Sequence, residues 1–103
     1  MIEGMEAYVG FKLKPEAIER WGQMIRAEHK ICTRPDFYSG RTHINMFIYF
    51  DDDYRITDFS GTKGYGPTTS IYNRSGSYSS GDFTKRDIAY LRRFVKENTE
   101  SQL

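Results

Sequence analysis

Cysteine, histidine and tryptophan are scarce in this chain of 103 residues, which holds one cysteine, two histidines and one tryptophan. A single cysteine, Cys32, excludes an internal disulfide framework and a cysteine-built zinc site, and it suits a reducing compartment. Two histidines, His29 and His43, narrow acid–base and metal chemistry sharply. No apolar run approaches the roughly 18 residues of a membrane span. The opening stretch, MIEGMEAYVGFKLK, has no basic region followed by an apolar run of signal-peptide length. A cytoplasmic location without a membrane partner is the expectation. Neither sign of charge dominates, the formal net charge being +1. What the chain does have is 38% hydrophobic and 16% aromatic residues, enough for one core in one domain spanning residues 1–103.

Hydrophobic periodicity sets the expected order of elements. Ala7, Val9, Phe11 and Leu13 alternate with polar or small residues, the two-residue period of a strand over 7–13, with residues 1–5 expected to fray. Pro15 suits a first helical position, Glu16 and Glu19 favour a helix start, and Ile18, Trp21, Met24 and Ile25 form a helical stripe, so a helix is expected over 15–29. Gly22 inside it costs roughly 1 kcal/mol against alanine and reads as a tolerated imperfection. Residues 31–41, with Pro35, Ser39 and Gly40, read as a connection with Phe37 or Tyr38 tucked inward. HINMFIYF (43–50) predicts a central strand with Ile44, Met46, Ile48 and Phe50 on one face. Asp51 to Asp53 turn it into YRITDF (54–59) as a hairpin, and TTSIYN (68–73) is a further, weaker strand. Thr84 and Asp87 have the spacing of a capping box, Phe83 and Ile88 that of a hydrophobic staple, and Ile88, Leu91, Phe94 and Val95 give a buried stripe, so a helix is expected over 84–98. Residues 99–103 are expected to fray. The order β-α-β-β-β-α implies an α+β fold, a mostly antiparallel sheet with two helices on one face.

One segment departs from core-like composition. Residues 60–82 hold five glycines, six serines and three tyrosines, Tyr65, Tyr72 and Tyr78, interleaved with Lys63, Asn73 and Arg74. Tyrosine brings a large amphipathic surface with few rotors to freeze, and serine, glycine and asparagine adapt their hydrogen bonds; the same mixture serves antibody binding loops. Residues 60–96 hold seven Lys or Arg against two Asp, whereas residues 1–59 hold eight against ten. Lys85, Arg86, Arg92, Arg93 and Lys96 fall on the last predicted helix, as a solvated face or as a surface for phosphates or an acidic protein.

YVGFKL at 8–13 resembles the first-strand motif of RNA-recognition domains, and KGYG at 63–66 the start of their second, whose aromatics stack bases; after KGYG this chain reads PTTS, without further aromatics. GTKG resembles the GXXG loop of KH domains but lies between predicted strands rather than helices. The first half is similar to one lobe of the 2H phosphoesterases, with His43-Ile44-Asn45 where that family has His-x-Ser/Thr. The resemblance implies phosphodiester chemistry at His43 beside Arg41, with Asn45 in place of the hydroxyl and the second motif absent. His29 near a helix end suits the dipole there. Asp51 to Asp53 read as a polar hairpin tip, since successive residues converge poorly on one ion and no metal site is expected. Cys32 has no base beside it in sequence.

These features point to a small non-enzymatic binding protein without cofactor, an inhibitor or adaptor of the sort viruses and mobile elements carry. It is expected to dock on a protein through Lys63, Tyr65, Tyr72, Arg74, Tyr78, Arg86 and Arg93. The alternative is a nucleic-acid or nucleotide binder, extending to a metal-independent phosphodiesterase or nuclease centred on His43 and Arg41. Sheet edges also leave room for a homo-oligomer.

Overall fold

In the computed structural model the described residues are 1–35, 42–65 and 83–100. Among them lie two α-helices, α1 (Pro15–Glu28) and α2 (Lys85–Asn98), one 3-10 turn (Glu6–Tyr8), and five strands: β1 (Lys12–Leu13), β2 (Lys30–Thr33), β3 (Thr42–Phe50), β4 (Ile56–Tyr65) and β5 (Thr99–Glu100). Strands β2, β3 and β4 form one antiparallel sheet in that order, and β1 pairs antiparallel with β5 in a second. The expected α+β class holds. No helix among the described residues is long and apolar enough to cross a membrane.

Alternation along β3 produces the layering. Ile44, Met46, Ile48 and Phe50 are buried, and they join Ala17 and Ile25 of α1 and Leu91 and Val95 of α2 in one core. Both helices therefore lie on the same face of the sheet. On β4 the core residues are Ile56 and Phe59, three apart rather than two. A bulge reconciles that spacing with the pleat: Tyr49 stands opposite Asp58 but Phe50 opposite Ile56, which leaves Thr57 as the extra residue.

Helix α1 begins where Pro15 occupies its first turn and ends at His29, which adopts a left-handed conformation with φ of 60° and donates its backbone N–H to Ile25 O at 2.7 Å. That one residue throws the chain straight into β2, where a connection was expected. Three apolar or neutral residues, Ile31, Cys32 and Thr33, are too few to show a period, and the strand exists because β3 offers them an edge.

The first predicted strand shrinks to two residues. Ahead of it the chain turns at Gly4 and Gly10, with φ of 93° and 95°. It then laces along the outer edge of β4: Ile2 N donates to Phe59 O at 3.1 Å, Gly10 N to Ile56 O at 2.8 Å, and Ile56 N to Phe11 O at 2.9 Å. Ile2 and Met5 are wholly buried while Val9 is 40% exposed, so residues 1–5 are anchored rather than frayed and the alternation at 7–13 does not mark a strand face. At the other end Thr99 is buried and pairs with Leu13, again contrary to fraying. Residues 101–103, the expected strand at 68–73, and Phe37 and Tyr38 lie outside the described residues.

Candidate functional site

The start of α2 is built as its sequence suggests. Thr84 Oγ1 accepts Asp87 N at 3.2 Å, and Asp87 Oδ2 accepts Thr84 N at 2.9 Å, completing the capping box. Phe83 and Ile88 pack half-buried against the core on either side of it. With Leu91 and Val95 buried beneath, the helix can present only one face outward: Arg86, Ala89, Arg93 and Lys96 are all exposed. Arg86 and Arg93, seven residues apart, stand two turns or about 10 Å from each other on that stripe. Arg92 faces elsewhere and donates from Nη2 to Gly4 O at 3.2 Å.

A cleft of about 510 Å³ opens beside the first turn, lined by Glu3, Gly4, Phe83, Lys85, Ile88 and Arg92. Its floor is apolar, and two of its rim groups are basic. Phe83 also lies directly over β4, because a Cβ on Gly61 would come within 2.8 Å of Phe83 Cζ. The first turn of α2 and the middle of β4 are thereby held together. Residues 66–82 leave from the end of β4 at Tyr65 and rejoin the described chain at Phe83, beside this cleft.

Of the residues singled out in the sequence, Arg86 and Arg93 share the exposed stripe, and Lys63 and Tyr65 occupy the last turn of the β3–β4 ladder. There the backbone of Ile44 faces Lys63, His43 faces Gly64, and Thr42 faces Tyr65. Arg41, Tyr72, Arg74 and Tyr78 lie outside the described residues. The two histidines are far apart: His29 O accepts Phe50 N at one end of β3, seven residues or about 23 Å along the strand from His43. Within one chain they cannot share a phosphodiester, as the paired-histidine chemistry of the 2H phosphoesterases requires. His29 instead sits with Nδ1 3.9 Å from Asp52 Oδ1, both side chains largely exposed.

Asp51 has a local structural task. Its Oδ1 accepts Asp53 N at 2.8 Å and Arg55 N at 3.1 Å, fastening the hairpin turn. No group of three or more His, Cys, Asp or Glu suited to a metal occurs among the described residues. Cys32 is exposed, with Sγ 3.7 Å from Asn45 Oδ1.

The feature that sequence reasoning missed is the other face of the sheet, on which no described element packs. Cross-strand register arranges it in rows: Lys30, Tyr49 and Asp58; then Cys32, Phe47 and Ser60; then Asn45 and Thr62. The Lys30 ammonium lies 5.1 Å from the Phe47 ring centre and 5.9 Å from that of Tyr49. The polar parity of Asn45, Phe47 and Tyr49 was visible in HINMFIYF, but Lys30 joins them only because β2 is a strand.

Among known proteins, no family matches the chain, and neither a curated protein nor a solved structure matches it significantly.

Proposed function

We propose that this is a small non-enzymatic binding protein, an inhibitor or adaptor, that docks on another protein at the start of α2. The observation that carries the reading is the cleft with an apolar floor of Phe83 and Ile88 and a charged rim of Lys85, Arg92 and Glu3. It adjoins the first turn of α2, which carries Arg86, and the point at Phe83 where the chain rejoins the described residues after the Tyr/Ser/Gly-rich segment 60–82. An apolar anchor residue with a carboxylate on the side of Lys85 and Arg92 is the complement such a surface asks for, and tyrosines from the segment would exclude water around it.

The test is a pull-down with tagged protein at low and moderate salt, read by mass spectrometry and by ultraviolet absorbance. One stoichiometric protein that survives the salt step is expected. Tyr65→Ala, Tyr72→Ala or Tyr78→Ala should weaken that complex by roughly 2 kcal/mol in at least one case, and Arg86→Glu with Arg93→Glu should weaken it further while leaving the fold intact. Three neutral tyrosine substitutions would remove the segment from the interface.

The nucleic-acid reading is favoured by one observation, the Lys30 ammonium over the Phe47 and Tyr49 rings on a sheet face where no described element packs. It requires a ligand absorbing near 260 nm whose affinity falls steeply as salt rises. His43→Ala decides the enzymatic form of that reading, since turnover unchanged by the substitution takes His43 out of any mechanism.

A further inference from the structure

We propose that the cleft between the end of α1 and the hairpin turn binds a small neutral polyhydroxyl ligand, of the size and class of a monosaccharide. The cleft has a volume of about 340 Å³, at the small end for small-molecule sites, and is lined by Ile25, Arg26, His29, Asp51, Asp52 and Tyr54. Ile25, buried, is its apolar floor. His29 and Tyr54 hold left-handed backbones with φ of 60° and 63°, and among the described residues no other residue except glycine does so. Glycine is favoured in that region, so each position gives up stability to carry a side chain, and both side chains belong to this one cleft. Strain of this kind gathers at ligand sites.

The polar groups of the cleft are held by one another and still have bonds to offer. Arg26 Nη1 donates to the Tyr54 hydroxyl at 2.8 Å, which leaves the phenol its own hydrogen and the guanidinium its other N–H groups. Asp51 Oδ1 accepts Asp53 N at 2.8 Å and Arg55 N at 3.1 Å, so the carboxylate is fixed and its Oδ2 remains an acceptor. His29 Nδ1 stands 3.9 Å from Asp52 Oδ1 at the outer rim.

Those internal pairs select the class of ligand. A lone anion gains Arg26 but meets Asp51 and Asp52, and a lone cation meets the reverse. A hydroxyl is donor and acceptor at once: it donates to Asp51 Oδ2 and accepts from Tyr54 or Arg26, and no existing bond in the site has to break. Adjacent hydroxyls on a ring repeat that pattern, and the C–H face of the ring has Ile25 to rest on. Residues 36–41 and 66–82 attach to the sheet at Thr42 and Tyr65, eight residues or about 26 Å along β3 from Phe50, so the cleft stands at the other end of the ladder.

Titration of isotope-labelled protein with D-glucose, D-galactose and D-mannose, read from two-dimensional amide spectra, tests it. At least one sugar should move amides of residues 25–29 and 51–55 saturably, with a Kd on the order of 1–10 mM, the strength usual for a ligand of so few atoms. Tyr54→Phe keeps the ring and removes the hydroxyl, and Asp51→Asn keeps an acceptor for the turn and removes the second one. Each should weaken binding about tenfold or more, with the amide spectrum elsewhere unchanged. No saturable shift with any of the three sugars overturns the proposal, as do variants that bind as the unaltered chain does. L-leucine and inorganic phosphate are the contrasting probes: if either saturates the same amides and no sugar does, the cleft takes a zwitterion or an anion and the neutral class is wrong. The cleft shares no lining residue with the one at Phe83, so its outcome leaves the pull-down result untouched.

Discussion

Gly61 and Gly22 are both enclosed by neighbours, yet they answer differently to an added methyl group. A Cβ at Gly61 would stand 2.7 Å from the Asn45 carbonyl oxygen and 2.8 Å from Phe83 Cζ, closer than any carbon tolerates, and the first of these neighbours is backbone of the central strand. Gly61→Ala is expected to cost about 1–3 kcal/mol, seen as a lower urea midpoint with an unchanged slope. At Gly22 the nearest atoms are Arg26 Nη1 and Ile18 Cγ2 at 3.5 Å and the Tyr54 hydroxyl at 3.7 Å, all ordinary contacts. Gly22→Ala should therefore recover up to about 1 kcal/mol of helix propensity, measured the same way, and a loss instead would mean that the hairpin needs a closer approach than it shows. Tyr54 supplies that approach. It holds a left-handed backbone with φ of 63°, a conformation that favours glycine, while its hydroxyl accepts Arg26 Nη1 at 2.8 Å and ties the hairpin turn to α1.

Elements with local signals were legible in the sequence, and elements made by pairing were not. Helix α2 carries its own start and its own stripe, so Thr84, Asp87, Leu91 and Val95 located it within a residue. Thr84→Ala should remove about 1 kcal/mol and lower the melting temperature by about 4–8 °C, followed by circular dichroism at the helix band. Strand β3 was legible for a similar reason, since four buried residues alternate over its length. Strand β2 was not, because a four-residue strand has no period of its own and forms only against β3. The opening segment misled for the opposite reason: a two-residue alternation was present, but edge-lacing bonds from Ile2, Gly10 and Phe11 to β4 set its course. The same division runs through the candidate sites. Arg86 and Arg93 follow from helical spacing alone, whereas the row of Lys30, Tyr49 and Asp58 depends on register among three strands.

At the scale of the whole molecule the two layers separate two surfaces. Helices α1 and α2 and the cleft at Phe83 lie on one side of the sheet, and the aromatic and charged rows lie on the other. Residues distant in sequence hold the arrangement together: Tyr90 on α2 shares a hydrogen bond with Thr33 at the end of β2, and its hydroxyl reaches Arg34 O at 3.0 Å. Trp21 of α1 and Phe94 of α2 bring their ring centres within 5.4 Å, joining the helices over the core. Most of these bonds span a large part of the chain, which places the fold among those whose formation is limited by closing long loops.

The pairing of Leu13 with Thr99 carries a consequence for synthesis. Residues 12 and 13 leave the ribosome early and meet the hairpin first, through the Lys12–Arg55 bridge and the bond from Leu13 N to Tyr54 O at 3.1 Å, but their two-stranded ladder is complete only once residues 99 and 100 follow. A nascent chain stalled before residue 99 is expected to remain open to protease near Leu13, and one stalled after residues 99 and 100 have cleared the exit tunnel to become resistant. Until α2 and β5 have emerged, Ile31, Met46 and Phe59 wait for the cover that α2 brings.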